Sequence, residues 1–124
     1  MVQTLIYADD TTGTPATIPN TDTTVKTTNI RKNSWNKVLV VCGLNVIQTA
    51  TSTAQNITLK IKNGSTTLKS FTIATTANAA TLPVTLRYAG PIRTGGAITV
   101  TVVGAAADAN TSTKYESLWI HSEA

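Results

Sequence analysis

Apolar and polar residues alternate with a period of two along most of this chain, which is the pattern of strands buried on one side. The clearest stretch is 56–62, where apolar residues at 57, 59 and 61 alternate with threonine and lysine. Asn63-Gly64 follows directly, and both residues accept the positive φ of a type I′ turn. We therefore expect a tight hairpin with 66–74, with Leu59 opposite Leu68 and a β-bulge near Lys69-Ser70.

The same period recurs between turn-rich segments, and no helical period of comparable length is present. The sequence predicts an all-β domain, an antiparallel β-sandwich or jelly roll of about eight short strands with essentially no helix. A chain of 124 residues is long enough to bury one core, so we expect a single domain over 1–124. The expected strands cover 2–8, 23–30, 37–48, 57–62, 66–74, 82–88, 97–103 and 114–121.

The segment 37–48 is apolar on both sides of the expected strand. Val38, Val40 and Cys42 share one side, and Leu39 and Val41 lie on the other. Two interpretations remain open: the strand is central and covered on both faces, or one face meets another subunit. Val41 is therefore a candidate interface residue.

The two tryptophans are the other candidates for binding. Trp35 belongs to an expected loop with Arg31 and Lys32, where it could stack on a sugar or a base, anchor a subunit contact, or be buried at the end of the domain. Trp119 alternates with Leu118 and Ile120, so it is expected on the outer side of the last strand. An outward tryptophan is a candidate anchor between subunits, because aromatic side chains contribute much of the energy at interfaces.

The composition describes an uncharged polar surface. Charged residues make up 13% of the chain, and the net charge of +4 reflects few acids more than many bases. The ten cations are scattered, which favours solubilising charge over a nucleic-acid footprint. Such surfaces are typical of extracellular or particle-bound proteins and of proteins that pack against other subunits.

The residues of common catalytic and metal sites are sparse. The chain has one histidine, His121, and one cysteine, Cys42, which lies in an apolar run and is expected to be a small buried hydrophobe. Adjacent acids such as Asp9-Asp10 would point to opposite faces of a strand, and loop acids such as Asp108 with Asn110 could bind calcium but have no EF-hand spacing. We therefore expect no enzyme activity, no catalytic residue, no metal and no cofactor.

No apolar run approaches the length of a membrane span, and the first residues lack the features of a secretory signal. If the sequence is a complete gene product, it is expected to remain in the cytoplasm where it is made.

The second half of the chain resembles the small jelly-roll domains of the TNF/C1q-like class in virus and phage structural proteins. The resemblance is carried by the 57–73 hairpin, by Leu82–Tyr88, by Gly96–Val102 with its alternating Thr and Val, and by the closing Leu118-Trp119-Ile120. It implies a jelly-roll fold and a homo-oligomer, most often a trimer.

These observations lead to one main hypothesis, a non-enzymatic virion structural protein: a capsid-decorating, spike or fibre-head subunit. It would be made in the host cytoplasm and would bind copies of itself, as a trimer, and other virion proteins, with a glycan on the host surface as a further possible partner. The alternative is an extracellular carbohydrate-binding module or adhesin domain. A cytoplasmic enzyme is the third interpretation, which the sparse acid, base and metal residues disfavour.

Overall fold

Two antiparallel sheets form a sandwich, as the alternating pattern predicts. The computed structural model describes residues 3–30, 37–92 and 96–123, and these contain nine strands and no helix. The strands are β1 (Gln3–Asp9), β2 (Ala16–Ile18), β3 (Thr23–Ile30), β4 (Lys37–Gln48), β5 (Asn56–Asn63), β6 (Thr66–Ala74), β7 (Ala80–Pro91), β8 (Gly96–Gly104) and β9 (Asp108–Glu123).

The order of the strands is that of a jelly roll. The first sheet has the order β1-β9-β4-β7, with the short β2 also paired to β9, and the second sheet has the order β3-β8-β5-β6. Apart from β2, successive strands cross from one sheet to the other, except at the β5–β6 hairpin. The prediction of a β-sandwich of jelly-roll type is therefore confirmed, and the ninth strand is the short edge segment β2.

Strand β4 is the centre of the first sheet. It pairs along its whole length with β7 on one edge and with β9 on the other. Its residues alternate strictly between buried and half-exposed positions, because one side faces the second sheet and the other faces outward. The inward side supplies a large part of the core, which comprises Ile18, Ile30, Val38, Val40, Cys42, Leu44, Val46, Ile57, Leu59, Ile61, Leu86, Ile92, Ile98, Val100, Val102, Tyr115, Leu118 and Ile120.

The last strand is longer than the sequence indicates. Residues 104–113 are expected to be a loop, yet β9 begins at Asp108 and pairs with β4 and β2. The expectation is wrong because the inward residues here are polar rather than apolar. Thr111 and Thr113 are buried, and the Thr111 hydroxyl donates to a carboxylate oxygen of Asp108 at 2.7 Å.

The β5–β6 hairpin is present, but its turn is displaced by one residue. Asn63 pairs with Thr66, so the two turn residues are Gly64 and Ser65. Gly64 has a φ of 61° and no non-glycine residue in the described ranges has a positive φ, which excludes a type I′ turn at Asn63-Gly64. Asn63 stays in the strand because its side-chain amide and the Gly64 N–H both donate to the carbonyl of Ala97, at 3.4 and 2.9 Å.

The register of this hairpin confirms the predicted bulge and corrects one expected pair. Ile61 pairs with Lys69 and Lys62 pairs with Thr67, so the extra residue of the bulge is Leu68, directly before the expected position near Lys69-Ser70. Leu59 consequently lies opposite Phe71, not opposite Leu68. Because of the bulge, Phe71 pairs with the inward-facing Leu59 and points toward the core side of the sheet. A bulge between the turn and Phe71 is what this alignment requires.

Replacing Gly64 with valine is expected to destabilise the protein by about 1–2 kcal/mol, because a β-branched residue is strained at positive φ. A Cβ added at Gly64 would have no neighbouring heavy atom within 4 Å, so the loss of stability would report backbone strain rather than a steric clash. The measurement is chemical unfolding, with Ser65→Ala as the control at a negative φ. An unchanged midpoint for Gly64→Val would show that the turn has another conformation.

Candidate functional site

The outer surface of the first sheet brings two of the predicted site residues together. Trp119 on β9 pairs directly with Val41 on β4, and both point away from the core. Ala8 on β1 and Arg87 on β7 extend the same cross-strand row. Trp35 lies outside the described residues, so its predicted role stays a prediction.

A second row lies next to the first. His121 pairs with Leu5 on one side and with Leu39 on the other, and Leu39 pairs with Ala89. We call these two rows together the Trp119 face; it consists of Leu5, Ala8, Leu39, Val41, Arg87, Ala89, Trp119 and His121.

The Trp119 face is the apolar part of the described surface. Leu5 is 54% exposed and Trp119 is 47% exposed, and they are the large hydrophobic side chains left exposed in the described ranges. A shallow depression of about 350 Å³ lies between them, lined by Leu5, Ala8, Asp9, Asp10, Trp119 and His121. Adjacent exposed apolar side chains of this kind make the face a candidate interaction site.

Two opposite charges stand at the margins of this face. Asp10 lies at the β1 side, where it lines the depression, and Arg87 lies at the β7 side beside Val41. Neither makes an ion pair with another residue that the structure describes. Farther along β9 the surface becomes polar and its charges are paired, since Glu116 accepts from the Asn45 amide at 2.9 Å and lies 3.8 Å from the Lys114 ammonium.

The outer surface of the second sheet has the opposite character. The Thr27 and Thr99 hydroxyls share a hydrogen bond of 2.9 Å. Lys60 and Lys62 both approach the carboxylate of Asp22, at 3.7 and 3.5 Å. One side of the sandwich is therefore apolar with unpaired charges at its margins, while the other is hydroxylated with its charges paired.

An ion pair between the two sheets closes the open side of the sandwich, where β1 and β3 are edge strands. The Asp9 carboxylate accepts from the Lys26 ammonium of the second sheet at 2.6 Å and from the Tyr115 hydroxyl at 3.2 Å. The Lys26 ammonium also lies 4.8 Å from the centre of the Tyr115 ring. Asp9, the last residue of β1, thus joins the two sheets, while Asp10 directly after the strand is exposed.

A groove of about 320 Å³ lies beside this ion pair, between β2 and β3. Threonines dominate its lining, with Val25 and Val102 among the apolar residues. Sequence reasoning missed both the ion pair and the groove, because Asp9, Lys26 and Tyr115 are far apart in the chain and carry no shared motif.

The remaining candidates for chemistry have structural roles. Two backbone N–H groups, from Thr53 and Asn110, and the Thr111 hydroxyl donate to the Asp108 carboxylate, so it organises its own loop. Cys42 is fully buried, as expected, and burial raises the pKa of its thiol to about 12.

The described residues contain no group of three or more His, Cys, Asp or Glu side chains arranged to hold a metal ion. In the same residues there is no helix with the length and apolar character needed to cross a bilayer.

No protein-family model matches the chain, and no curated protein matches it in sequence. Among solved structures, it is similar to a protein of Bacillus endospore appendages described as a novel family of disulfide-linked pili. The TM-score is 0.50 at 17% identity, covering 98% of this chain and 90% of that one. It is also similar to VP2 of the infectious bursal disease virus subviral particle, with a TM-score of 0.49 at 14% identity over 97% of this chain but only 32% of that protein. The first similarity supports the fold.

The bond from Lys26 to Asp9, assisted by the Thr11 N–H, holds the pKa of the Asp9 carboxyl well below its usual range. An acid with a depressed folded-state pKa stabilises the fold above its unfolded pKa of about 3.9, and this stabilisation is lost as the pH falls toward the folded value. We therefore expect the free energy of unfolding to decrease below about pH 4.

Asp9→Asn and Lys26→Met should each reduce the difference in stability between pH 7 and pH 3, as measured by denaturant unfolding. A slope that remains in both variants is expected from Asp22 and Asp108, whose pKa values are also lowered. If both variants kept the full slope of the unmodified protein, the ion pair would not contribute to acid stability.

Proposed function

We propose that this protein is a non-enzymatic structural subunit that assembles with copies of itself through the Trp119 face. The observation that carries the proposal is the contrast between the two outer surfaces of the sandwich. Both belong to the same small fold, so a general tendency toward apolar residues would affect both. Among the residues that the structure describes, only the first sheet exposes a tryptophan and a leucine on one surface, and aromatic and apolar side chains are typical of surfaces that become covered in an assembly.

The proposed assembly is non-covalent. The single cysteine of the sequence, Cys42, is buried among core residues, and a thiol with a raised pKa is a poor nucleophile. The endospore appendage protein is described as forming disulfide-linked pili. The similarity to it supports a fold that can build appendages, but the folded chain described here offers no exposed thiol for such a link.

We further propose that the assembly is displayed on a particle, with a virus or phage virion as the preferred case and an extracellular appendage as the other. The low charge and the threonine-rich outer surface of the second sheet suit a surface that remains in contact with solvent. The single-domain organisation over 1–124 belongs to the same proposal. A trimer, which the resemblance to TNF/C1q-like domains implies, is the alternative to a two-fold pair as the form of this assembly.

Trp119→Lys is expected to weaken self-association at least tenfold, because large aromatic side chains dominate interface energies and a lysine would resist burial. The matched control is Thr72→Lys, which places the same charge at an exposed position on the second sheet. Sedimentation velocity over a concentration series is the measurement. A mass near 13.0 kDa for the unmodified protein at every concentration up to millimolar would contradict the proposal.

A second candidate function is carbohydrate binding in the depression beside Trp119. The combination of an exposed indole with the nearby Asp10 and His121 supports it, since an aromatic surface packs against a sugar ring while polar groups bond its hydroxyls. Titration of neutral oligosaccharides, followed by tryptophan fluorescence, tests it against assembly. Saturable binding by a monomeric protein would favour the carbohydrate function, and self-association without a sugar response would favour assembly.

A further inference from the structure

We propose that two copies of this chain pair face to face about a two-fold axis that runs parallel to the strands, between β4 and β9. This inference rests on the proposed function and specifies the partner surface, which is the Trp119 face of a second copy. It goes beyond self-association because it states which residue of one copy meets which residue of the other.

The order of residues across the face determines the pairing. From β1 to β7 the first row reads Ala8, Trp119, Val41, Arg87, and a two-fold axis between the middle strands reverses this order in the second copy. Trp119 then lies over the partner's Val41, and Ala8 lies over the partner's Arg87. Each large side chain meets a smaller one, which is the condition for two surfaces to interdigitate.

The second row fits the same axis. Leu5 lies over the partner's Ala89, and His121 lies over the partner's Leu39. Leu5 thus meets a smaller residue, His121 meets a side chain of similar size, and the exposed Leu5 is covered together with Trp119.

The charges at the two margins of the face distinguish this axis from a two-fold axis perpendicular to the strands. Asp10 stands at the β1 margin and Arg87 at the β7 margin, so the proposed axis brings Asp10 of each copy toward the partner's Arg87 twice. A two-fold axis perpendicular to the strands would instead lay β1 over the partner's β1 and β7 over the partner's β7, so each Arg87 would lie at the same margin as the partner's Arg87 and each Asp10 at the same margin as the partner's Asp10. Like charges in an interface are unfavourable, so the parallel axis is the one that the charges select.

The size of the patch predicts the strength of the pair. Four strands spaced about 4.8 Å apart and two rows of side chains cover roughly 250 Å² per copy. A stable interface buries roughly 800 Å² per partner, so the isolated pair is expected to be weak and to require high protein concentration for detection.

Charge reversal tests the pairing. Asp10→Lys and Arg87→Glu should each weaken self-association about fivefold or more, and the double variant should restore it to within about threefold of the unmodified protein. Sedimentation equilibrium near millimolar concentration gives the affinities, and circular dichroism confirms that each variant is folded. If the double variant fails to restore association while Trp119→Lys still abolishes it, the axis is wrong and the assembly proposal stands.

Cross-linking tests the geometry independently. Packed sheets lie about 10 Å apart, too far for a disulfide but within reach of a short bismaleimide linker. A mixture of Leu5→Cys and Ala89→Cys proteins should cross-link as a heterodimer, and either variant alone should cross-link poorly because the two like positions lie at opposite margins. Efficient cross-linking of Leu5→Cys alone, or trimeric products, would overturn the two-fold pairing.

Discussion

The pairing of β4 along both of its edges is the constraint on which the rest of the structure depends. Because β7 and β9 are hydrogen-bonded to it residue by residue, β4 sets the register of the first sheet from Lys37 to Gln48. A shift of one residue would exchange inward and outward side chains over the whole strand. The buried side, with Val38, Val40 and Cys42, excludes that shift, and so it also fixes Trp119 opposite Val41 on the other side.

This arrangement explains how an apolar outer face can exist on a small sandwich. The residues of β4 that belong to the buried core all face inward, and Leu39 and Val41 are not among them. The outward positions are therefore free to carry any residue that tolerates a strand, and on β5 they carry lysine and threonine. Leu39 and Val41, on the outer side of β4, are half-exposed and lie outside the buried core, which is the physical reason for proposing that they take part in a contact.

The sequence predicted the strands best where one side is apolar and the other polar. The period of two predicted the bounds of β3, β4 and β6. Two members of the Trp119 face were also predicted: Val41, because β4 is apolar on both sides, and Trp119, because it alternates with Leu118 and Ile120. The period of two failed to predict the strand at 108–113, because buried threonines take the place of apolar residues there. It also misplaced the hairpin turn, because hydrogen bonds to the carbonyl of Ala97 hold Asn63 in the strand. Such contacts come from residues distant in the chain, so a local pattern carries no signal for them.

The same limit applies to the ion pair between Asp9 and Lys26 and to the marginal charges. The sequence shows Asp9-Asp10 as adjacent acids, and only the fold assigns one to the junction between sheets and the other to the outer face. Arg87 likewise reads as one of several scattered cations until the register places it in the row of Trp119 and Val41. The candidate site is thus defined by rows across the sheet rather than by a motif along the chain.

A face-to-face contact about a two-fold axis closes on itself and produces a pair, so a larger particle needs a second, different contact. The edges at β7 and β6 are poor candidates for it: β7 carries Pro83 and Pro91, and β6 carries a bulge and the exposed Lys69, features that discourage pairing between edges. These edges therefore favour the proposal that contacts form between faces, through side chains. A small contact of this kind becomes effective when many copies are held together, because the second binding event is then intramolecular. Weak pairing in solution and firm packing in a multivalent particle are thus compatible properties of the same face.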